Sequence, residues 1–400
     1  MVAEPSALVL GATGVAGSAV VDELVSRGEP VLAAARRPGE DSRDLVTPVA
    51  LDLLDREATR EALASHSVRD VYYCVHWRDK APTEGKPTNL KSLKRQLMLG
   101  ARSLPLLRFI PGATRMFYWK IGAESGSLDA DHRNLQMLTN ILDIVSGEPH
   151  QFRHLSLLTG AKHYGMHLGP DLWPGYQVPF DDEGTTRCPG PNWYYEVEDH
   201  LRASAGPWSF SIFRPTFIIG YATGAPYNFG TGLAAYAALR KARQEPLTWF
   251  GDEASYQCTW EVSDARLIGQ MMAWSTGEPA AHGEAFNVAS GTPFRWKDLL
   301  PEVAAYFGME AHVERDGLSV RRFLKDNEEL WTELVQQHDL RPTALNQLIT
   351  GDFLDRAMVM DWDVTMTTRK ATAAGAPDPA TPLKVFTSLF DRMRQDRWIP

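Results

Sequence analysis

The sequence predicts an α/β protein built on a doubly wound parallel sheet, with a smaller, helix-rich lobe after it. Three observations predict this. A glycine-punctuated turn, Gly11-x-x-Gly14-x-x-Gly17, sits between a short apolar strand and an amphipathic stretch. Strand-like apolar runs then alternate with helical ones as far as Pro215, the rhythm of βαβ crossovers. Beyond Pro215 the alternation gives way to a mixed, helix-rich pattern.

The first strand is residues 6–10, and the helix behind the turn runs to about Arg27. Glycine in the turn lets a pyrophosphate approach the backbone, and a helix opening there points N–H groups at the charge. Gly11, Ala12, Thr13, Gly14, Val15 and Gly17 are therefore the expected cradle of a dinucleotide, and the sheet is of Rossmann type. The G-x-x-G-x-x-G spacing resembles that of short-chain and extended dehydrogenases.

The second strand ends at Arg36 and Arg37, with no acid between Val31 and Gly39. NAD-selective folds place a carboxylate there for the ribose hydroxyl, whereas guanidinium groups grip a 2′-phosphate. The pair predicts NADPH, although Arg37 taken alone also reads as a solvated strand-end charge.

A third strand over residues 49–53 closes on Asp52, placed either to bind the adenine amine or to cap the loop, with Leu53 beside it. A helix over 56–65 and a fourth strand over 68–75 follow. The exit of that strand, His76-Trp77, lies on the cofactor side, and either ring is a candidate to cover the cofactor. Trp77 is also a candidate substrate contact. A helix over 129–145, a fifth strand from His154, a helix from near Tyr194 and a sixth strand ending at Arg214-Pro215 complete the pattern. Ile219, just beyond, is a further expected cofactor contact. Residues 1–215 are thus read as the nucleotide-binding domain, and 216–400 as a substrate lobe partly interleaved with it.

Composition bounds the function. Hydrophobic residues make up 44% and charged residues 23%, ordinary for a soluble enzyme. A net charge of −9 disfavours bulk nucleic-acid binding. Cys74, Cys188 and Cys258 are far apart, so neither a metal cluster nor a disulfide framework is expected. With the first strand following Met1–Pro5 directly and no apolar run of membrane-spanning length, a cytoplasmic protein is expected. It would act on a small molecule, and a homodimer is left open.

One stretch breaks the rhythm. From Gly85 to Ala123 there is no acid, while Lys86, Lys91, Lys94, Arg95, Arg102, Arg108, Arg115 and Lys120 give a local charge of +8. It reads as a membrane-surface or partner helix, as a lid over the substrate, or as an insertion dispensable for folding.

Ordinary short-chain dehydrogenases set a phenol and an ammonium on one helix as Tyr-x-x-x-Lys, yet none of the 12 tyrosines has a lysine four residues later. Instead, Thr159-Gly-Ala-Lys162-His-Tyr164 follows the fifth strand and Asn192-Trp-Tyr-Tyr195-Glu-Val-Glu-Asp199 opens the next helix. A Lys and a Tyr from different elements are expected to converge at the sheet's carboxyl edge.

These motifs resemble the T-G-x-K-H-Y and N-F-Y-Y-x-x-E-D of the progesterone 5β-reductase/iridoid synthase family. The resemblance continues through Ala33-Ala-Ala-Arg-Arg-Pro, Trp208-Ser…Phe213-Arg-Pro, Ser263-Asp-Ala-Arg-Leu-Ile and Glu284-Ala-Phe-Asn with Phe294-Arg-Trp-Lys. It implies NADPH-dependent conjugate reduction of an enone or enal, with Lys162 and the second tyrosine of the motif, Tyr195, as the catalytic pair. Hydride goes to the β-carbon, and a phenol aimed at the carbonyl oxygen stabilises the enolate. Lys162 would hold the nicotinamide ribose, Tyr164 either touches substrate or is buried, and Tyr194 and His163 read as packing residues. The family's glutamine before T-G-x-K is Leu158 here, and the exit of strand four carries an extra residue. Two rival classes share the fold: an extended-type carbonyl reductase, epimerase or dehydratase, and a non-catalytic NADP sensor.

Overall fold

The computed structural model describes residues 6–39, 43–77, 128–190, 192–204, 206–222, 228–251, 253–314, 318–349, 354–355 and 360–400. The basic segment lies outside the described residues.

Seven strands form the main sheet. These are β1 (Ser6–Leu10), β2 (Val31–Ala35), β3 (Val46–Ala50), β4 (Val68–Tyr73), β5 (His154–Leu158), β6 (Ser209–Pro215) and, from far along the chain, β9 (Ala285–Val288). Their order is β9-β6-β5-β4-β1-β2-β3, and every pairing is parallel. Between β5 and β9 in sequence, β7 (Phe217–Ile219) and β8 (Val262–Asp264) pair in a small parallel sheet of their own.

Both faces of the main sheet are covered, as a parallel sheet requires. On one face Leu8, Leu10, Val71, Leu155 and Ile212 pack with Leu138 and Ile141 of α3 (Leu128–Val145) and Val197 and Leu201 of α4 (Trp193–Ala203). On the other, Ala7, Val9, Tyr72, Phe213 and Phe286 pack with α1 (Val15–Ser26) and α6 (Ala265–Ser275). Alternate residues of β1 thus feed opposite cores, the period of two that a pleated strand imposes. Between α1 and α3 in the chain lies α2 (Arg56–Leu63), and α5 (Phe229–Ala242) lies between α4 and α6. The third core, around α5, Trp249, Trp260, Trp296 and Phe386, belongs to the carboxyl half. Because β9 and α6 both come from beyond residue 215, the carboxyl half completes the first sheet.

Two strands differ from the sequence reading, and β4 stops at Tyr73 rather than at residue 75. The edge strand β3 ends at Ala50 rather than Leu53. It carries Pro48, which lacks an N–H and is tolerated on an edge. Asp52 lies past it in a turn, its Oδ1 accepting from the Leu54 N–H at 3.1 Å. Asp55, not Asp52, caps α2, accepting from the Ala58 N–H.

Candidate functional site

In this strand order the direction of winding reverses between β1 and β4, and the crevice at the carboxyl ends of such neighbours is where open α/β sheets bind ligands. The glycine turn lies there. Gly11 sits at φ +80°, a conformation that L side chains rarely adopt, and a Cβ on it would come within 2.7 Å of the Cys74 carbonyl at the exit of β4. A Cβ on Gly17 would stand 2.1 Å from the Gly11 carbonyl oxygen. Gly14 precedes α1 without a side-chain cap, so the first N–H groups of the helix are left to an anion. Thr13 is exposed at the tip, while Ala12 and Val15 flank it half-buried. The cradle fits a pyrophosphate.

At the other end, Arg36 and Arg37 are exposed just past β2. The Arg36 guanidinium lies 5.9 Å from the centroid of the Trp77 ring and Arg133 of α3 lies 4.9 Å from it. Asn134, almost fully buried, fixes Trp77 by accepting from its N–H at 2.6 Å. His76 turns the other way, its ring stacked on Trp193 at 6.0 Å with 9° between planes. Trp77 is therefore the ring beside the arginines, and His76 faces α4.

Two expected contacts have enclosed side chains. Ile219 is 1% exposed and belongs to the carboxyl-half core, so its side chain does not reach the crevice. The side chain of Leu53 is also core, and its carbonyl accepts from Asn140 at 2.7 Å. The Asp52 side chain stabilises its own turn through one oxygen and is exposed.

Past β5, residues Ala161–Tyr164 form a single 3₁₀ turn that meets the start of α4. Asn192 caps α4 by accepting from the Tyr194 N–H at 3.1 Å. Its amide also donates to the carbonyl of Lys162 at 2.9 Å. The two motif segments thus converge as expected, and Lys162 is exposed on the turn. Burial, together with the Lys162 charge, holds the nearby His167 imidazole down to about 3.

The two tyrosines at the start of α4 send their hydroxyls to different places. The Tyr195 hydroxyl donates to the His163 carbonyl at 2.5 Å and accepts from the Cys188 N–H at 2.8 Å. Its ring is covered by Arg187 at 4.6 Å, and burial raises its ionisation well above the usual phenol range. Tyr194 points elsewhere. A Cβ built on Gly160 would meet the Tyr194 hydroxyl at 3.1 Å and the Pro215 carbonyl at 3.3 Å. That phenol therefore lies at the carboxyl ends of β5 and β6. Tyr164 is corrected as a substrate contact: it is 0% exposed. Its hydroxyl donates to Asn287 Oδ1 at 2.7 Å and accepts from Arg214 at 3.0 Å.

Beneath the turn is a buried polar group that motif reading missed. Glu198 of α4, 0% exposed, accepts from Arg214 Nη2 at 2.5 Å and Nε at 3.1 Å and from Thr159 Oγ1 at 2.9 Å. His163 Nδ1 stands 3.3 Å from the same carboxylate. Burial would raise the Glu198 carboxyl, but His163 and Arg214 together hold it at about 2. Burial pushes the His163 imidazole down. Each of these residues belongs to a quoted motif, and what the motifs did not show is that they meet. A groove of about 560 Å³ elsewhere, lined by Gly291, Met366 and Arg369 among others, includes none of the residues expected in the site.

Residues 109–400 match the family profile of a PRISE-like Rossmann-fold domain, and residues 7–111 that of the NAD dependent epimerase/dehydratase family. An (S)-8-oxocitronellyl enol synthase of Antirrhinum majus is 30% identical over 72% of this chain and 74% of its own. The Catharanthus roseus protein of the same name is 26% identical over 98% of this chain and 92% of its own. A 3-oxo-Δ(4,5)-steroid 5β-reductase of Arabidopsis thaliana is 28% identical over 88% and 82%. Among solved structures, an NAD-bound short-chain dehydrogenase/reductase superfamily protein of Agrobacterium tumefaciens superposes with a TM-score of 0.56 at 16% identity, over 98% of this chain and 97% of that one. UDP-glucose 4-epimerase of Thermotoga maritima gives 0.56 at 14%, over 98% and 99%. These last two share the fold.

Proposed function

The chain belongs to the PRISE-like Rossmann-fold family, and from that premise we propose that it is an NADPH-dependent reductase of C=C bonds conjugated to a carbonyl in a small molecule. The observation that carries the reading is the meeting of the Lys162 turn with a phenol-bearing helix start at the sheet's carboxyl edge, in a chain without Tyr-x-x-x-Lys. The relatives agree in kind: one is named for making an enol, another for reducing an oxo-steroid.

Bound NADPH supplies a hydride for the β-carbon. As that bond forms, negative charge gathers on the carbonyl oxygen, and a donor already aimed there lowers the barrier. We assign that donor to Tyr194, whose phenol lies at the carboxyl ends of β5 and β6, while the Tyr195 hydroxyl holds the His163 carbonyl and the Cys188 N–H. Lys162 contributes a positive charge that eases the phenol toward its anionic form and holds the cofactor's ribose. Arg36 and Arg37, with Trp77 beside them, would take the adenosine 2′-phosphate.

The test is NADPH oxidation with a panel of small enones set beside simple ketones and aldehydes. Turnover confined to the enones supports the proposal. Turnover confined to the ketones favours the carbonyl reductase alternative, and tight cofactor binding without turnover of either favours a sensor.

A further inference from the structure

Tyr194 and Glu198 stand four residues apart, so one helical turn brings them to the same side of α4. In the ordinary dehydrogenase arrangement that second position is the lysine. Here it is a fully buried carboxylate. From it, contacts run to Thr159 at the end of β5, to His163 in the turn that carries Lys162, and to Arg214 at the end of β6. Arg214 passes the connection on to the Tyr164 hydroxyl, and through it to Asn287 of β9. The end of β5, the Lys162 turn, the end of β6 and β9 are thereby tied to one carboxylate of α4.

We propose that Glu198, paired with Arg214, is a positioning residue that fixes the Lys162 turn against the helix bearing Tyr194, a role the phenol–lysine helix performs within itself elsewhere. The inference rests on the proposed reaction for its kinetic part only. A lysine supplied from a separate turn has no covalent register with the phenol, so some group must set that register. Glu198 touches both sides of the seam. The pair carries no net charge, so its contribution is geometric.

The test is the double variant Glu198→Leu with Arg214→Met, since replacing a buried pair by apolar residues of similar size often leaves stability unchanged. Hydrogen exchange is measured over residues 161–165, together with NADPH affinity and enone kinetics. We expect a folded protein that binds NADPH within about threefold of the parent, with exchange in the turn at least roughly tenfold faster. Enone kcat should fall about 10- to 100-fold at little-changed KM. A folded double variant with parental exchange in the turn overturns the inference, whatever its activity. A parent protein inactive on every enone counts against the reaction and leaves the exchange readout to decide on Glu198. If the double variant does not fold, Glu198→Gln carries the same readouts: its amide oxygen keeps the Thr159 hydroxyl satisfied while the charge that holds Arg214 and His163 is lost, so exchange in the turn should still rise, and parental exchange overturns the inference.

Discussion

The hydroxyl of Tyr195 donates to the main-chain carbonyl of His163 at 2.5 Å, and this contact locks the helix start onto the residue after Lys162. A phenol committed to holding backbone is a poor donor to a substrate oxygen. Tyr195→Phe should therefore act on stability, costing about 1–3 kcal/mol for a carbonyl left without its partner, with turnover within about threefold of the parent. Tyr194→Phe should lower turnover by about 10²–10³. Thermal melts and steady-state kinetics on the two variants settle the assignment. Full activity in Tyr194→Phe with loss in Tyr195→Phe would return the role to Tyr195.

Cofactor choice follows from Arg36 and Arg37 past β2. NADPH should bind at least about tenfold tighter than NADH, roughly the 1.4 kcal/mol of one good phosphate contact. Arg36→Glu should weaken NADPH and spare NADH. Fluorescence titration with both cofactors measures this, and equal affinities in the parent would remove the argument.

Glu261 offers a prediction outside the proposed centre. It is 0% exposed, and one oxygen accepts from the Met366 N–H at 2.5 Å. Burial pushes the carboxyl up to about 7 from 4.5. The folded state thus holds this proton more tightly than the unfolded state. The resulting stability is complete below about pH 4.5 and is lost as pH rises through about 7. Glu261→Gln should gain melting temperature relative to the parent as pH rises across that range, by a few degrees. A difference that stays constant across it would show the carboxyl ionised throughout.

The sheet and its cradle were readable because they depend on local rules: apolar runs of strand length, helices between them, and glycines where the backbone must come close. The tyrosine assignment was not readable. Tyr194 and Tyr195 are neighbours on a helix, about 100° apart around its axis, and which one faces the edge depends on how α4 is seated. That seating comes from Asn192 reaching Lys162 and from Glu198 reaching Arg214, contacts between distant parts of the chain. The burial of Tyr164 has the same origin, since its partner Asn287 lies 123 residues away. Asp52 was displaced by a different cause. The strand before it stops at Ala50, and the Asx turn that follows is set by hydrogen bonds that alternation does not reveal.

The central claim is where the hydride goes. Incubating the protein with an enone and NADPH carrying deuterium at the transferred position, then locating the label by NMR, measures this directly. The account predicts a saturated ketone or aldehyde with deuterium on the β-carbon. Deuterium on the carbonyl carbon, with the double bond retained in an allylic alcohol, would contradict it.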